Sequence, residues 1–214
     1  SINALQNKTI AVFGLGSQGL AQSLNLKDSK LNIIIGLPEA SANVTKAKEL
    51  GFEVYEFKEA ATRADVIILL IPDEAHGKVF ETSIKPYFKE GGTLIVAHGF
   101  SLHFGLIKDY EKWNIGMVAP KAVGTAVRQN FLEGKGIFSL YSEFHKINED
   151  LEKILLEVAK GIGSIKVLKT SFKTECETDL FGEQVVLTGG IISLFTKAFE
   201  TLTEAGYDKE ISFY

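Results

Sequence analysis

The chain has 214 residues, 45% hydrophobic and 23% charged, enough for one substantial core or two small ones. A formal net charge of −4 speaks against a surface built to hold nucleic acid, and the single cysteine, Cys176, excludes an intrachain disulfide and a zinc site built from cysteines. The longest uninterrupted apolar run, Val66 to Pro72, is too short to span a bilayer, and the N-terminus lacks the basic and apolar segments of a secretory signal. A cytoplasmic protein without membrane or nucleic-acid partners is expected; the start at Ser1 fits a trimmed N-terminus.

The first element is an apolar run, Thr9 to Phe13, which reads as a buried strand. Similar runs follow at Asn32 to Ile35, Val66 to Ile71, Thr93 to Ala97 and Ile115 to Val118. None of these five alternates apolar with polar residues, the pattern of strands covered on both faces. Further strands are expected at Phe52 to Tyr55, Ile137 to Tyr141 and Ile165 to Leu168. Between them, Gln18 to Leu26, Ala42 to Leu50, Lys58 to Arg63 and Leu151 to Lys160 carry helical apolar spacing. Gly51 and Gly161 stand where helix-ending glycines are expected. This alternation predicts βαβ units with right-handed crossovers, hence an α/β fold with a doubly wound, mostly parallel Rossmann sheet.

Near residue 173 the pattern changes. No strand-like run follows, and Asp179 to Ala205 reads as largely helical, with Gly189-Gly190 marking a kink, a close helix contact or a break. Residues 1–172 are therefore expected to form a dinucleotide-binding domain and 173–214 a short helical segment. That segment is too short for its own core and is expected to lean on the first domain or on another chain.

Gly14-Leu15-Gly16-Ser17-Gln18-Gly19 follows the first strand directly and opens a helix. In such a loop the first glycine permits a tight turn, the second lets backbone approach a pyrophosphate, and the third allows close helix–strand packing. Unpaired N–H groups of the helix then face the phosphates. A bare GxGxxG is a weak signal, but this position within a βαβ unit strengthens it. The loop after the second strand contains Pro38, Glu39 and Ser41 and no arginine. Glu39 reads equally well as a ribose contact or as a solvated loop residue.

Several segments together resemble the ketol-acid reductoisomerases: GLGSQG (14–19), PDE (72–74), AHGF (97–100), LHFG (102–105), MVAPK (117–121), ETDLFGEQ (177–184) and FETLTEAGY (199–207). The order is the family's, and the resemblance runs almost the full length. It implies magnesium-assisted alkyl migration in a 2-hydroxy-2-keto acid followed by reduction with NADP or NAD as the dinucleotide. It also implies a homodimer. Carried over residue by residue, Asp179 and Glu183 become metal ligands, while Lys121 and His98 become catalytic groups. The cofactor site takes in Gly14, Leu15, Gly16, Ser17, Gln18, Gly19, Glu39, Ser41, Pro72, Asp73, His98 and Gly124. His76 and His103 are expected to be structural or surface residues.

The chain departs from the family pattern at three places. Pro38 stands where the family usually has a phosphate-holding arginine, and Glu39 follows it. Proline offers a phosphate neither a backbone N–H nor a polar side chain. NADH is therefore expected to bind at least as well as NADPH. The segment after Lys121 reads Ala122-Val123-Gly124, without the family's usual glycine and proline. Finally, the family's two further metal-binding glutamates and its substrate-binding serine lie beyond the AGY segment. The 214 residues alone are expected to support little or no isomeroreduction. Two alternative functions remain: a dinucleotide-binding relative without this activity, and another Rossmann oxidoreductase using His98 or Lys121 on a smaller substrate.

Overall fold

A computed structural model describes residues 3–214; residues 1 and 2, where the expected first domain begins, lie outside the described part. The chain divides into two compact units, one ending at Lys173 and the other running from Thr174 to Tyr214.

The first unit begins with β1 (Thr9–Phe13), α1 (Ser17–Asp28) and β2 (Asn32–Gly36). Next come α2 (Asn43–Glu49), β3 (Glu53–Tyr55), α3 (Phe57–Arg63) and β4 (Val66–Leu69). A helix, α4 (Asp73–Val79), continues as a π-helical stretch, Phe80–Ile84, before β5 (Thr93–Val96) and the short α5 (Phe100–His103). The unit is completed by β6 (Asn114–Pro120), α6 (Gly124–Leu132), β7 (Ile137–His145), α7 (Leu151–Gly161) and β8 (Ser164–Lys169).

These eight strands form one sheet in the order β3-β2-β1-β4-β5-β6-β7-β8. The six strands from β3 to β6 pair parallel, β7 runs antiparallel to β6, and β8 is parallel to β7. The chain passes from β1 outward through β2 to β3, then returns to the other side of β1 with β4. That reversal is the topological switch point, where the carboxyl ends of β1 and β4 flank a crevice. Strands β4 and β5 are buried at every position, as their Val/Ile/Leu sequences require when helices cover both faces. β8, at the sheet edge, has no fully buried residue.

Several expectations need correction. β4 ends at Leu69 rather than Ile71, because the chain turns at Leu70 to pass against Gly14. Gly161 lies inside α7; the left-handed position that ends this helix belongs to Gly163, at φ +99°. Gly51, at φ +73°, does close α2 as expected. The helices α4, α5 and α6 carried no clear apolar stripe and were not expected.

The second unit contains most of one long helix. α8 (Phe172–Leu180) opens it across the boundary, a π-helical stretch (Phe181–Gly190) continues it, and α9 (Ile191–Glu204) closes it, before a short α10 (Lys209–Phe213). Gly189-Gly190 is therefore not a break. Side chains there would lie 2.8 Å from the Gln184 carbonyl oxygen and 2.5 Å from that of Val185, so the two glycines make room for the carbonyls of the widened helix. No residue from Phe181 to Tyr214 is buried. Within the 33-residue helix Phe172–Glu204 a stretch of 18 residues has a mean hydropathy of 1.4, long and apolar enough by length and composition to cross a membrane. The uninterrupted-run criterion passed over it because Glu183, Gln184 and Lys197 divide its apolar residues.

Candidate functional site

The crevice at the switch point has a volume of about 710 Å³. Its floor is Gly14, Leu15 and Gly16, from the turn between β1 and α1. Each glycine of this turn has a separate structural reason. Gly14 has φ +96°, and a Cβ there would lie 2.6 Å from the Leu70 carbonyl oxygen. A Cβ at Gly19 would lie 2.3 Å from the carbonyl oxygen of Gly14, so α1 packs directly on the turn it leaves. At Gly16 a Cβ would meet nothing within 4 Å. Backbone at Gly16 is thus open to the crevice at the N-terminus of the 12-residue helix α1, where free N–H groups and the helix dipole favour a phosphate.

One wall is built by Leu37, Pro38 and Asn43 after β2, with Phe57 at the start of α3. The opposite wall starts with Leu70, Ile71 and Pro72 and continues along Ala75, Lys78, Val79, Thr82 and Ser83. Those five residues recur at the spacing of one helix face.

The other expected cofactor residues stand around this crevice rather than along it. Glu39 is exposed and does not line it. Ser41 folds back on its own loop: its N–H donates to the Pro38 carbonyl at 2.9 Å, and its Oγ accepts from the Asn43 N–H at 3.3 Å. Gln18 Nε2 donates to the Ala122 carbonyl at 2.8 Å. Gly124, the first residue of α6, is pressed so close to Ser17 that a Cβ would lie 2.3 Å from its carbonyl oxygen. The phosphate turn and the segment after Lys121 are therefore braced together. Lys121 itself is exposed, with its N–H bonded to the Phe138 carbonyl at 2.9 Å, and it lines a separate cavity of about 200 Å³. His98 follows β5, half-buried, with its ring stacked 6.2 Å from that of Phe100.

His76 is 2% exposed and ties the turn after β4 to α5. Its Nε2 lies 3.0 Å from the Ile71 carbonyl oxygen and its Nδ1 2.9 Å from Ser101 Oγ. A neutral ring satisfies both contacts, Nε2–H donating and Nδ1 accepting. Burial pushes its pKa below the ordinary imidazole value, against the opposing pull of Asp73. The expectation of a structural histidine fits these contacts. Sequence reading missed Asn43, Phe57, Lys78 and Thr82 as crevice residues, and no residue pattern marks any of them.

In the second unit, Asp179 stands on α8 and Glu183 in the π-helical stretch. Carboxylate oxygens of Glu175 and Asp179, one turn apart, approach within 4.8 Å of each other. Sequence reading passed over Glu175, although its spacing from Asp179 matches that of Asp179 from Glu183.

The switch-point crevice, the glycine floor and the helix aimed at it define a dinucleotide-binding protein of the Rossmann class. The family profile described as acetohydroxy acid isomeroreductase, NADPH-binding domain, matches residues 4–167, and the ketol-acid reductoisomerase C-terminal domain matches residues 172–214. This chain belongs to the ketol-acid reductoisomerase family. It is 48% identical to the ketol-acid reductoisomerase (NADP(+)) of Methanocaldococcus jannaschii over 216 aligned residues, covering all of this chain and 66% of that protein. The enzyme of the same name from Pyrobaculum neutrophilum is 46% identical at the same coverage. Among solved structures, an NADH-preferring ketol-acid reductoisomerase from an uncultured archean superposes with a TM-score of 0.92 at 40% identity, covering 99% of this chain and 66% of that one. An NAD-bound semialdehyde dehydrogenase NAD-binding protein from Cupriavidus necator, 18% identical with a TM-score of 0.77 over 96% of this chain and 78% of that one, shares the fold alone. The chain thus spans 66% of the length of these curated relatives. Its long apolar helix falls within the region matched by the family's C-terminal domain.

Proposed function

We propose that this protein acts as a ketol-acid reductoisomerase, converting 2-acetolactate or 2-aceto-2-hydroxybutyrate to the 2,3-dihydroxy acid in valine and isoleucine biosynthesis. The observation that carries the reading is Gly16, open to a crevice at the N-terminus of α1, in a chain whose whole length matches the family. Gly14 to Gly19 hold the pyrophosphate, and the walls from Pro38 to Phe57 and from Ala75 to Ser83 enclose the adenosine. Pro38 gives the 2′-phosphate no N–H and no polar side chain, so NADH serves at least as well as NADPH. The NADH preference named for the structurally similar archaeal enzyme supports this.

Asp179 and Glu183 offer the hard oxygen donors that magnesium takes, with Glu175 one turn behind Asp179. These residues would hold the ion. When bound, magnesium supplies Lewis-acid polarisation of substrate oxygens, and the dinucleotide supplies hydride. Lys121 stabilises negative charge developing on the substrate oxygens, and His98 positions polar groups beside the nicotinamide. The unburied apolar residues from Phe181 onward support a homo-oligomer, expected to be a dimer. The protein is read as soluble and cytoplasmic.

The test is NADH oxidation by the protein as its own gene encodes it, with 2-acetolactate and with the isomerised keto acid, each with and without magnesium. Turnover of 2-acetolactate should require magnesium and fall about a hundredfold or more in Asp179→Asn. Magnesium-independent reduction of an unrelated keto acid, with 2-acetolactate inert, would assign the crevice to a different oxidoreductase.

A further inference from the structure

Among the described residues, Lys78 is the only charged side chain lining the crevice. It sits on the α4 wall, on the same stripe as Val79 and Thr82, across from Pro38 and Asn43. The loop bearing Pro38 follows β2, the place where Rossmann proteins contact the adenosine ribose. The pyrophosphate has its own partner in the N-terminus of α1, on the crevice floor. Lys78 therefore belongs to the adenosine half.

Other groups nearby are poor anion holders. Thr82 Oγ1 donates its proton to the Lys78 carbonyl at 2.8 Å, leaving the hydroxyl only acceptor capacity. Ser41 Oγ accepts from the Asn43 N–H at 3.3 Å, and Ser41 does not line the crevice. The Lys78 ammonium makes no ion pair among the described residues. An unpaired ammonium on a four-carbon stem, pointing back toward the start of its helix, suits a phosphate on the ribose.

We infer that Lys78 is a specificity-determining residue for the dinucleotide, meeting a 2′-phosphate from the α4 side where the opposite loop offers Pro38. The inference rests on the crevice being a dinucleotide site. Lys78 offsets the unfavourable surroundings of a 2′-phosphate near Pro38 and the exposed Glu39, so the protein keeps NADPH as an acceptable cofactor. Without Lys78, selectivity shifts toward the unphosphorylated ribose.

The test is calorimetric titration of 5′-AMP and adenosine 2′,5′-bisphosphate, which differ only in the 2′-phosphate, into the full chain and into Lys78→Gln and Lys78→Arg. Lys78 is exposed, so the substitutions leave the fold intact, and an unchanged thermal midpoint checks this. For an ammonium facing a nearly dianionic phosphate in partly screened surroundings, Lys78→Gln should weaken adenosine 2′,5′-bisphosphate about tenfold relative to 5′-AMP. Lys78→Arg should retain most of the wild-type ratio, and added salt should erase the difference between wild type and Lys78→Gln. An unchanged ratio in Lys78→Gln overturns the inference, and an unchanged ratio with both nucleotides weakened would place Lys78 at the 5′-phosphate. If wild type binds neither nucleotide, the dinucleotide reading fails and this inference fails with it.

Discussion

The two units of this chain use apolar residues in opposite ways. In the sheet unit, Ile10, Ile35, Ile67, Leu69, Leu94 and Ile95 are 0–1% exposed, sandwiched between helices. In the helical unit, Val185, Leu187, Ile192, Leu194 and Phe195 are 54–68% exposed. Both sets are aliphatic or aromatic, and both lie in regular structure. The difference is whether the unit supplies its own cover. A sheet with crossover helices buries its strands by its own topology, whereas one long helix followed by a short one cannot enclose an apolar surface. Helix formation is local; burial is not.

Core truncation should separate the two regions most sharply. Ile68→Ala in β4 removes a side chain 1% exposed and should cost about 2–5 kcal/mol of unfolding free energy. Leu194→Ala in α9, 66% exposed, should change it by no more than about 0.5 kcal/mol while the chain is monomeric. Urea denaturation of both variants compares them directly. A large loss at Leu194 in a monomer would mean that the helical unit is covered after all.

A second pair of substitutions distinguishes fold from ligand within the phosphate turn. Gly16→Val places a side chain in open space toward the crevice, so the fold should survive while dinucleotide affinity falls about a hundredfold, roughly 3 kcal/mol. Gly14→Ala forces a Cβ to 2.6 Å from the Leu70 carbonyl at φ +96° and should destabilise the sheet unit itself. Thermal melts alongside calorimetry separate the two effects, and intact binding in folded Gly16→Val would reduce the turn to a structural role.

The smallest effect expected is the pH response of His76. Its folded-state pKa lies below the unfolded value of about 6.5, because burial disfavours the charged ring. Stability should therefore be full above about pH 6.5 and should fall as the pH drops from there toward the folded pKa, since the unfolded chain takes up the proton first. His76→Gln should flatten that part of the profile. Identical pH slopes for wild type and His76→Gln would contradict the assignment of a buried neutral ring.

These contrasts explain how much the sequence could reveal. The strands were legible because burial on both faces leaves unbroken Val/Ile/Leu runs, and the phosphate turn because its glycines sit next to such a run. The helical character of Asp179 to Ala205 was legible because helix formation depends on local sequence and not on burial. Its π-helical stretch was not, since backbone widening follows no residue pattern beyond the two glycines. The helix α6 is short and mixed in composition, with only Gly124 and Val127 buried, so it showed no apolar stripe. The tight packing of Gly124 on Ser17 joins residues far apart in the chain, and only the assembled fold brings them together. Lys78 carries no signal in the sequence, and only the folded α4 turns it toward the crevice.

The central claim, that the sheet unit is a dinucleotide site whose loop after β2 no longer favours a 2′-phosphate, has one most direct test: calorimetric titration of NADH and NADPH into the wild-type chain at physiological salt. The account predicts saturable binding of both, with NADH at least as tight as NADPH. A clear preference for NADPH would contradict the role given to Pro38, and binding of neither would contradict the site itself.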